Sequence, residues 1–171
     1  MTADETVDVT VETPAGSRNK YEYDEQIGAM RLDRRLPSAT IFPVDYGFIP
    51  ETLGLDGDPL DAMVIVEDPT FPGCVVTARI LGLFMMTDEH GSDAKLITVS
   101  ESDARWGDAT ELEDIPQPLL DEIEHFFAVY KDLEPAKHSE TAGFENRQRG
   151  IETLRAASRR YRESPGDRSS V

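Results

Sequence analysis

Apolar residues alternate with polar ones through much of the first hundred positions and recur at helical spacing only beyond residue 115. That order confines the chain to strands first and helices last. Val7, Val9 and Val11 read as a half-buried strand, Pro14-Ala15-Gly16 as a turn, and Tyr21 with Tyr23 as a second strand. Gly28 reads as the turn before a strand through Met30 and Leu32. Ala62 to Val66 is a short apolar strand closed by Asp68-Pro69. Cys74 to Met86 is long and rich in β-branched residues, with Gly82 as a bend or bulge, and Leu96 to Val99 gives one more strand. Leu119, Ile123, Phe126, Phe127 and Tyr130 then mark one face of a helix, with Pro116 near its start. A second helix is expected from Ser139 or Glu140 to Arg162, carrying Phe144, Ile151, Leu154 and Tyr161, with Gly143 and Gly150 as weak points. Strands followed by segregated helices predict an α+β domain, a small barrel with helices packed outside.

The 171 residues suit one domain, expected over 7–162, with frayed termini at 1–6 and 163–171. The single cysteine, Cys74, excludes an internal disulfide and, flanked by apolar residues, reads as a buried structural thiol. No apolar run approaches the length of a membrane span, and Met1-Thr-Ala-Asp-Glu5 lacks the basic and apolar regions of a signal peptide, so a cytoplasmic location is expected. A formal net charge of −17 argues against nucleic acid and anionic membranes as partners. Arginine outnumbers lysine thirteen to four, and so acidic and lysine-poor a surface suggests a salt-rich cytoplasm, where self-repulsion is screened. Each lysine left in such a chain, Lys20, Lys95, Lys131 and Lys137, invites a search for its purpose.

Asp56-Gly57-Asp58-Pro59-Leu60-Asp61 packs three carboxylates into six residues, with Asp88 and Asp93 beyond. Crowded carboxylates repel, so a chain keeps them as a solvated turn or as a place for cations. A calcium loop of the EF-hand kind needs glycine at its sixth position and glutamate at its twelfth; those positions hold Asp61 and Glu67. Gly57 and Pro59 impose a tight backbone path that lets the three aspartates converge. Hard oxygen ligands suit magnesium or manganese rather than zinc, and His90, His125 and His138 are too scattered to form a ligand set. Carboxylates together with lysines, Arg34 and tyrosine hydroxyls point to a highly charged oxyanion carried on metal ions, polyphosphate above all.

These residues carry a resemblance. Asp56 to Asp61 matches the D-[SG]-D-P-x-D signature of the family I soluble inorganic pyrophosphatases. Arg18-Asn-Lys-Tyr-Glu22, Pro43-Val-Asp-Tyr-Gly-Phe48, the segment Asp88 to Lys95 and the segment His125 to Glu134 match the same family in order, over about Val9 to Lys137. The resemblance implies a five-stranded, OB-like closed barrel with two helices, and magnesium-dependent hydrolysis of pyrophosphate to two orthophosphates. It implies that Asp56, Asp61 and Asp93 hold the first metals, with Asp61 shared, and that Asp88 and Asp93 bind metal arriving with the substrate. Glu22 would serve a further site, and Glu12 is another active-site carboxylate. Asp58 would be the general base, a role also given to Asp93. Lys20, Arg34, Tyr46, Lys95, Tyr130 and Lys131 would grip the phosphates. Phe42 stands where many members have tyrosine, which implies one hydroxyl fewer at the pocket rim, and His90 lies in a loop where members vary. Prokaryotic members imply a homohexamer. Two readings compete: a non-catalytic metal- or phosphate-binding barrel, and an oligonucleotide-binding barrel, which the −17 charge disfavours.

Overall fold

The computed structural model describes residues 6–164. In chain order its elements are β1 (Thr6–Thr13), β2 (Asn19–Asp24), β3 (Ala29–Arg35), β4 (Asp45–Phe48), β5 (Asp61–Ile65), β6 (Val75–Asp88), β7 (Gly91–Ser100), α1 (Gln117–Val129), β8 (Ser139–Asn146) and α2 (Arg147–Glu163). β1 pairs with β4, β4 with β5, β5 with β7, β7 with β6, and β6 returns to β1. Only the β5–β7 ladder is parallel. Five strands thus close on themselves, as an OB-like barrel requires, and closure pairs both edges of most of the ring, while β6 runs on past β1 and offers its free edge to β8. β2 and β3 form a separate two-stranded hairpin.

The length of β6 organises the rest. Its residues 75–79 pair with β1, while residues 82–88 pair with β8. Where one partner gives way to the other, the ladder to β7 shifts register between Ile80 and Gly82, which is the bulge expected at Gly82. The helix expected to begin near Ser139 is corrected here: residues 139–146 are a strand, and α2 begins at Arg147. An uncovered β6 edge needs a partner, and that pairing outweighs local helical spacing. Gly143, with φ 83°, could not sit in a helix in any case. Asn146 instead caps α2, its side chain accepting from the Arg149 amide at 3.1 Å. Within α2, a Cβ on Gly150 would lie 3.0 Å from the Gly82 carbonyl oxygen, so the glycine that weakens the helix lets it approach β6. Tyr161 is exposed rather than part of the buried face. Of the termini expected to fray, residues 1–5 and 165–171 lie outside the described residues, whereas Thr6 and Glu163 belong to β1 and α2.

Strand alternation divides the core in two. Ala62 and Val64 of β5 join Val9, Val11, Ala78, Ile80 and Leu96, and α2 adds Ile151 and Ala157 to that cluster. Met63 and Ile65 face the opposite way, with Phe84, Ile97 and Val99, and are covered by Leu120, Ile123, Phe126 and Phe127 of α1. Burying each such α1 side chain stabilises the fold by roughly 1.5–3 kcal/mol. Cys74 is half-buried against the first cluster, so the expectation of a fully buried thiol is corrected: it lies just before β6, where the chain has not yet turned inward.

Candidate active site

A cavity of about 530 Å³ opens where the hairpin, the barrel mouth and the end of α1 meet. β1 brings Glu12; β2 brings Lys20 and Glu22; β3 brings Arg34; β4 brings Tyr46. The loop before β5 brings Asp56 and Asp58, and Asp61 opens β5 itself. The β6–β7 hairpin adds Asp88, Asp93 and Lys95, and the end of α1 adds Tyr130 and Lys131. Every residue singled out from the sequence as catalytic, metal-binding or phosphate-binding therefore lines one cavity. His90 lines it too.

Lys95 stands at its floor, fully buried, with its ammonium 2.7 Å from the Tyr46 hydroxyl, 2.8 Å from Asp61 Oδ2 and 2.7 Å from Asp93 Oδ2. Tyr46 donates in turn to Asp61 Oδ2 at 2.6 Å. Burial works against the charge of Lys95, but Asp61 and then Asp93 overcome it and hold the amine above its usual range. Burial pushes Asp93 upward, more than Lys95 draws it down. The Tyr46 hydroxyl is held well above its ordinary value by burial, then by Asp61 and Asp93, so it stays protonated and donates.

The acidic loop is tied off at its base. The Ile49 amide donates to the Leu60 carbonyl at 2.9 Å, and Thr52 Oγ1 accepts from the Leu60 amide at 2.9 Å while donating to the Ile49 carbonyl. Inside the loop, Gly57 adopts φ 92°, and the Asp58 amide donates to Asp56 Oδ1 at 3.1 Å. Asp58 itself is mostly exposed, and its carboxyl is raised by burial, then by Asp56 and Asp61. Glu12 accepts from the Tyr23 amide at 2.8 Å, yet burial pushes it up to about 7. Lys131 lies 3.2 Å from Asp88 Oδ2 and 3.4 Å from Glu89 Oε1. Lys20 pairs with Glu22 and stands 3.6 Å from Asp33. Arg34 pairs with Asp33 and donates from Nε to Glu134 Oε1 at 2.6 Å. Burial raises the Glu134 carboxyl, but the Arg34 hydrogen bond and Lys137 outweigh that and hold it below its usual range.

Several lining residues were given no site role from the sequence: Tyr23, Glu25, Asp33, Phe48, Glu89 and Lys137. Glu89 and Asp33 adjoin named residues, and Lys137 is the fourth lysine of a lysine-poor chain, so three of them left a signal. Phe42 is corrected. It is not at the rim but buried beneath the cavity, its ring 5.6 Å from Tyr46 and 4.7 Å from Phe126. A hydroxyl there would need a partner in an apolar cluster, so phenylalanine suits this chain's packing.

The lining carries ten carboxylates against four lysines and one arginine. Such an excess in a partly buried site fits hard divalent cations, and every acidic donor is oxygen. Among the described residues, no three acidic, histidine or cysteine side chains converge as a ready-made cage. Between Asp61 and Asp93 the counter-charge is Lys95.

The comparisons agree with this geometry. Residues 9–162 match the model of a family described as inorganic pyrophosphatase. An inorganic pyrophosphatase of Streptomyces coelicolor is 48% identical over 93% of this chain and 98% of its own length. One from Methanosarcina acetivorans is 47% identical over 95% and 96%. The crystal structure of the Thermus thermophilus inorganic pyrophosphatase superposes with a TM-score of 0.92 at 46% identity, covering 95% of this chain and 94% of that one. With a family match across nearly its whole length and a site assembled from all its motifs, the chain belongs to the inorganic pyrophosphatase family.

Proposed function

We propose that this protein hydrolyses inorganic pyrophosphate to two orthophosphates by attack of an activated water, without a covalent intermediate, using magnesium, with manganese as a possible substitute. One observation carries the reading: thirteen residues from seven separate stretches of chain line one cavity in which carboxylates outnumber cations two to one. Pyrophosphate is itself multiply anionic, so it enters such a site only in company with cations. Asp56, Asp61 and Asp93 would hold the first ions, with Asp61 shared, Asp88 and Asp93 those that come with the substrate, and Glu22 and Glu12 support further positions. Bound there, the ions would lower the pKa of water and neutralise the phosphate oxygens.

The protein groups divide the remaining work. Lys20, Arg34, Lys95 and Lys131 line the cavity as cations, and Tyr46 and Tyr130 as hydroxyls, a set that suits phosphate in charge; Lys95 and Tyr46 would turn to the substrate once metal ions take over Asp61 and Asp93. Asp58, exposed and with a raised pKa, takes or positions the proton of the attacking water, with Asp93 the other candidate base. No serine, threonine or cysteine lines the cavity among the described residues, in keeping with direct attack by water. A purely binding barrel would have no use for an exposed base beside the ligand carboxylates.

Phosphate release from pyrophosphate in magnesium tests the activity. Asp58→Asn should lower kcat by about 10²–10⁴-fold with an unchanged melting temperature; near-normal turnover would remove Asp58 from the role. We also read the protein as cytoplasmic, and as the homohexamer that the resemblance implies. Ile27 and Leu32 on the hairpin, with Phe71 and Val75 before and within β6, are more than half exposed and offer apolar surface for an assembly to bury.

A further inference from the structure

Glu134 lies just past the end of α1, and its side chain is only 9% exposed. Its partner is Arg34, a hundred residues earlier in the chain, whose Nε donates to Oε1 at 2.6 Å. The other oxygen, Oε2, is buried and has no hydrogen-bond partner among the described residues. Lys137 Nζ stands 3.2 Å from it, an ionic contact without hydrogen-bond geometry. Glu134 does not itself line the cavity, whereas Arg34 and Lys137 both do.

The position of Arg34 explains why such a partner is needed. β3 belongs to the two-stranded hairpin, which joins the barrel sheet by no ladder and is tied to β1 through its other strand, by Thr13 to Tyr21 and by Glu12 to the Tyr23 amide, so that β3 is the outer strand. An arginine on it has many rotamers to lose when an anion binds. Holding Nε fixes the plane of the guanidinium and leaves the edge bearing the terminal nitrogens for other acceptors. The neighbouring Asp33 pairs with one of those nitrogens, but it sits on the same strand and cannot tie the hairpin to the rest of the molecule. Glu134 can, because the segment that carries it continues directly from Tyr130 and Lys131.

We propose that Glu134 is a positioning residue: by holding Arg34 through Nε and drawing Lys137 toward its second oxygen, it sets two cations from different elements against the substrate's phosphates. The inference rests on the reading of Arg34 as a phosphate-binding group. Steady-state kinetics with magnesium pyrophosphate, paired with thermal melts, test it on Glu134→Ala, Glu134→Asp, Glu134→Gln, Arg34→Ala and the Arg34→Ala/Glu134→Ala double variant.

Glu134→Ala should raise KM by about tenfold while kcat changes less than about threefold. Glu134→Gln, whose amide oxygen still accepts from Nε, should recover most of that loss. In the Arg34→Ala background the same Glu134→Ala change should add clearly less, under about threefold, since only its hold on Lys137 is then left to lose. A KM within twofold of the parent overturns the proposal, as does an equal loss with and without Arg34, the mark of a merely structural role. Should the alanine variant not fold, Glu134→Asp decides. Its carboxylate is one carbon short, so KM should rise at least about threefold, and a parental KM overturns the proposal. Arg34→Ala with unchanged kinetics would remove Arg34 from the substrate and both readings with it, whereas an impaired Arg34→Ala beside a normal Glu134→Ala would remove Glu134 alone.

Discussion

Lys95 directs all three of its N–H donors inside the protein, to Tyr46, Asp61 and Asp93, and this decides what the floor of the site can tolerate. Two carboxylates held this close to one ammonium are stable as a set and unstable once the cation is removed. Lys95→Met keeps the length and removes the charge. Breaking a fully buried pair costs about 3–5 kcal/mol, and here Asp61 is a quarter exposed, so a loss of about 2–3 kcal/mol is expected. If Asp61 and Asp93 also hold divalent ions, magnesium should restore part of that loss, because without the competing ammonium the ion binds the folded variant more tightly than the folded parent. Thermal melts with and without magnesium would measure both effects. An identical loss in the two conditions would mean that these carboxylates do not hold the ion. The sequence showed Lys95 through its rarity and its place after Asp93. It could not show that the Tyr46 hydroxyl, forty-nine positions away, completes the set, because the register of β4 against β5 brings it there.

At the scale of elements, legibility followed periodicity. β1, β5, β6 and β7 alternate or run apolar, and α1 repeats at helical spacing, so all were visible in the sequence. β4 was not: it is four residues long, and Asp45, Tyr46 and Gly47 are all buried, which erases the two-residue alternation. Asp45 is buried because it accepts from the amides of Ala15 and Thr70, contacts that no local pattern encodes. β8 was hidden for a different reason, since its partner edge on β6 exists only once the barrel has formed. The role of α2 was likewise out of reach. The Leu53 amide donates to the Ala157 carbonyl at 3.0 Å, and Arg160 Nε donates to the Leu53 carbonyl at 2.9 Å, so the helix grips the loop three residues before Asp56. Arg160→Ala should therefore lower stability by only about 1 kcal/mol, the net worth of a hydrogen bond. It should nevertheless raise the magnesium concentration needed for half-maximal activity several-fold, because Asp56 and Asp58 ride on that loop. A magnesium titration of activity checks this, and an unmoved midpoint would show that the base of the loop, closed by Thr52, holds the aspartates without the helix.

For the whole molecule, charge sets the conditions under which the fold and any assembly persist. At −17 over 171 residues, the surface repels both itself and every other copy of itself. The excess is not confined to the cavity: Glu67, Asp68 and Asp103 share the single Arg105, whereas Glu145 of β8 and Glu152 of α2 are balanced locally by Arg149. Charges of one sign interact over about 10 Å at 0.1 M salt and about 3 Å at 1 M, so added salt removes most of the repulsion between protomers while leaving apolar contacts intact. Ile27, Leu32, Phe71 and Val75 provide the apolar contacts, and the hairpin that carries the first two also carries Lys20 and Arg34. Assembly and substrate binding would then share an element. If the protein is a homohexamer adapted to salt, sedimentation should show smaller species at low ionic strength and the hexamer as salt rises, with KM falling over the same range as the hairpin is buttressed. Replacing Ile27 and Leu32 with polar residues should move the association midpoint to higher salt or abolish the hexamer. An oligomer unchanged from low to high salt would refute salt-dependent assembly, and a hexamer indifferent to those substitutions would place the interface elsewhere on the barrel.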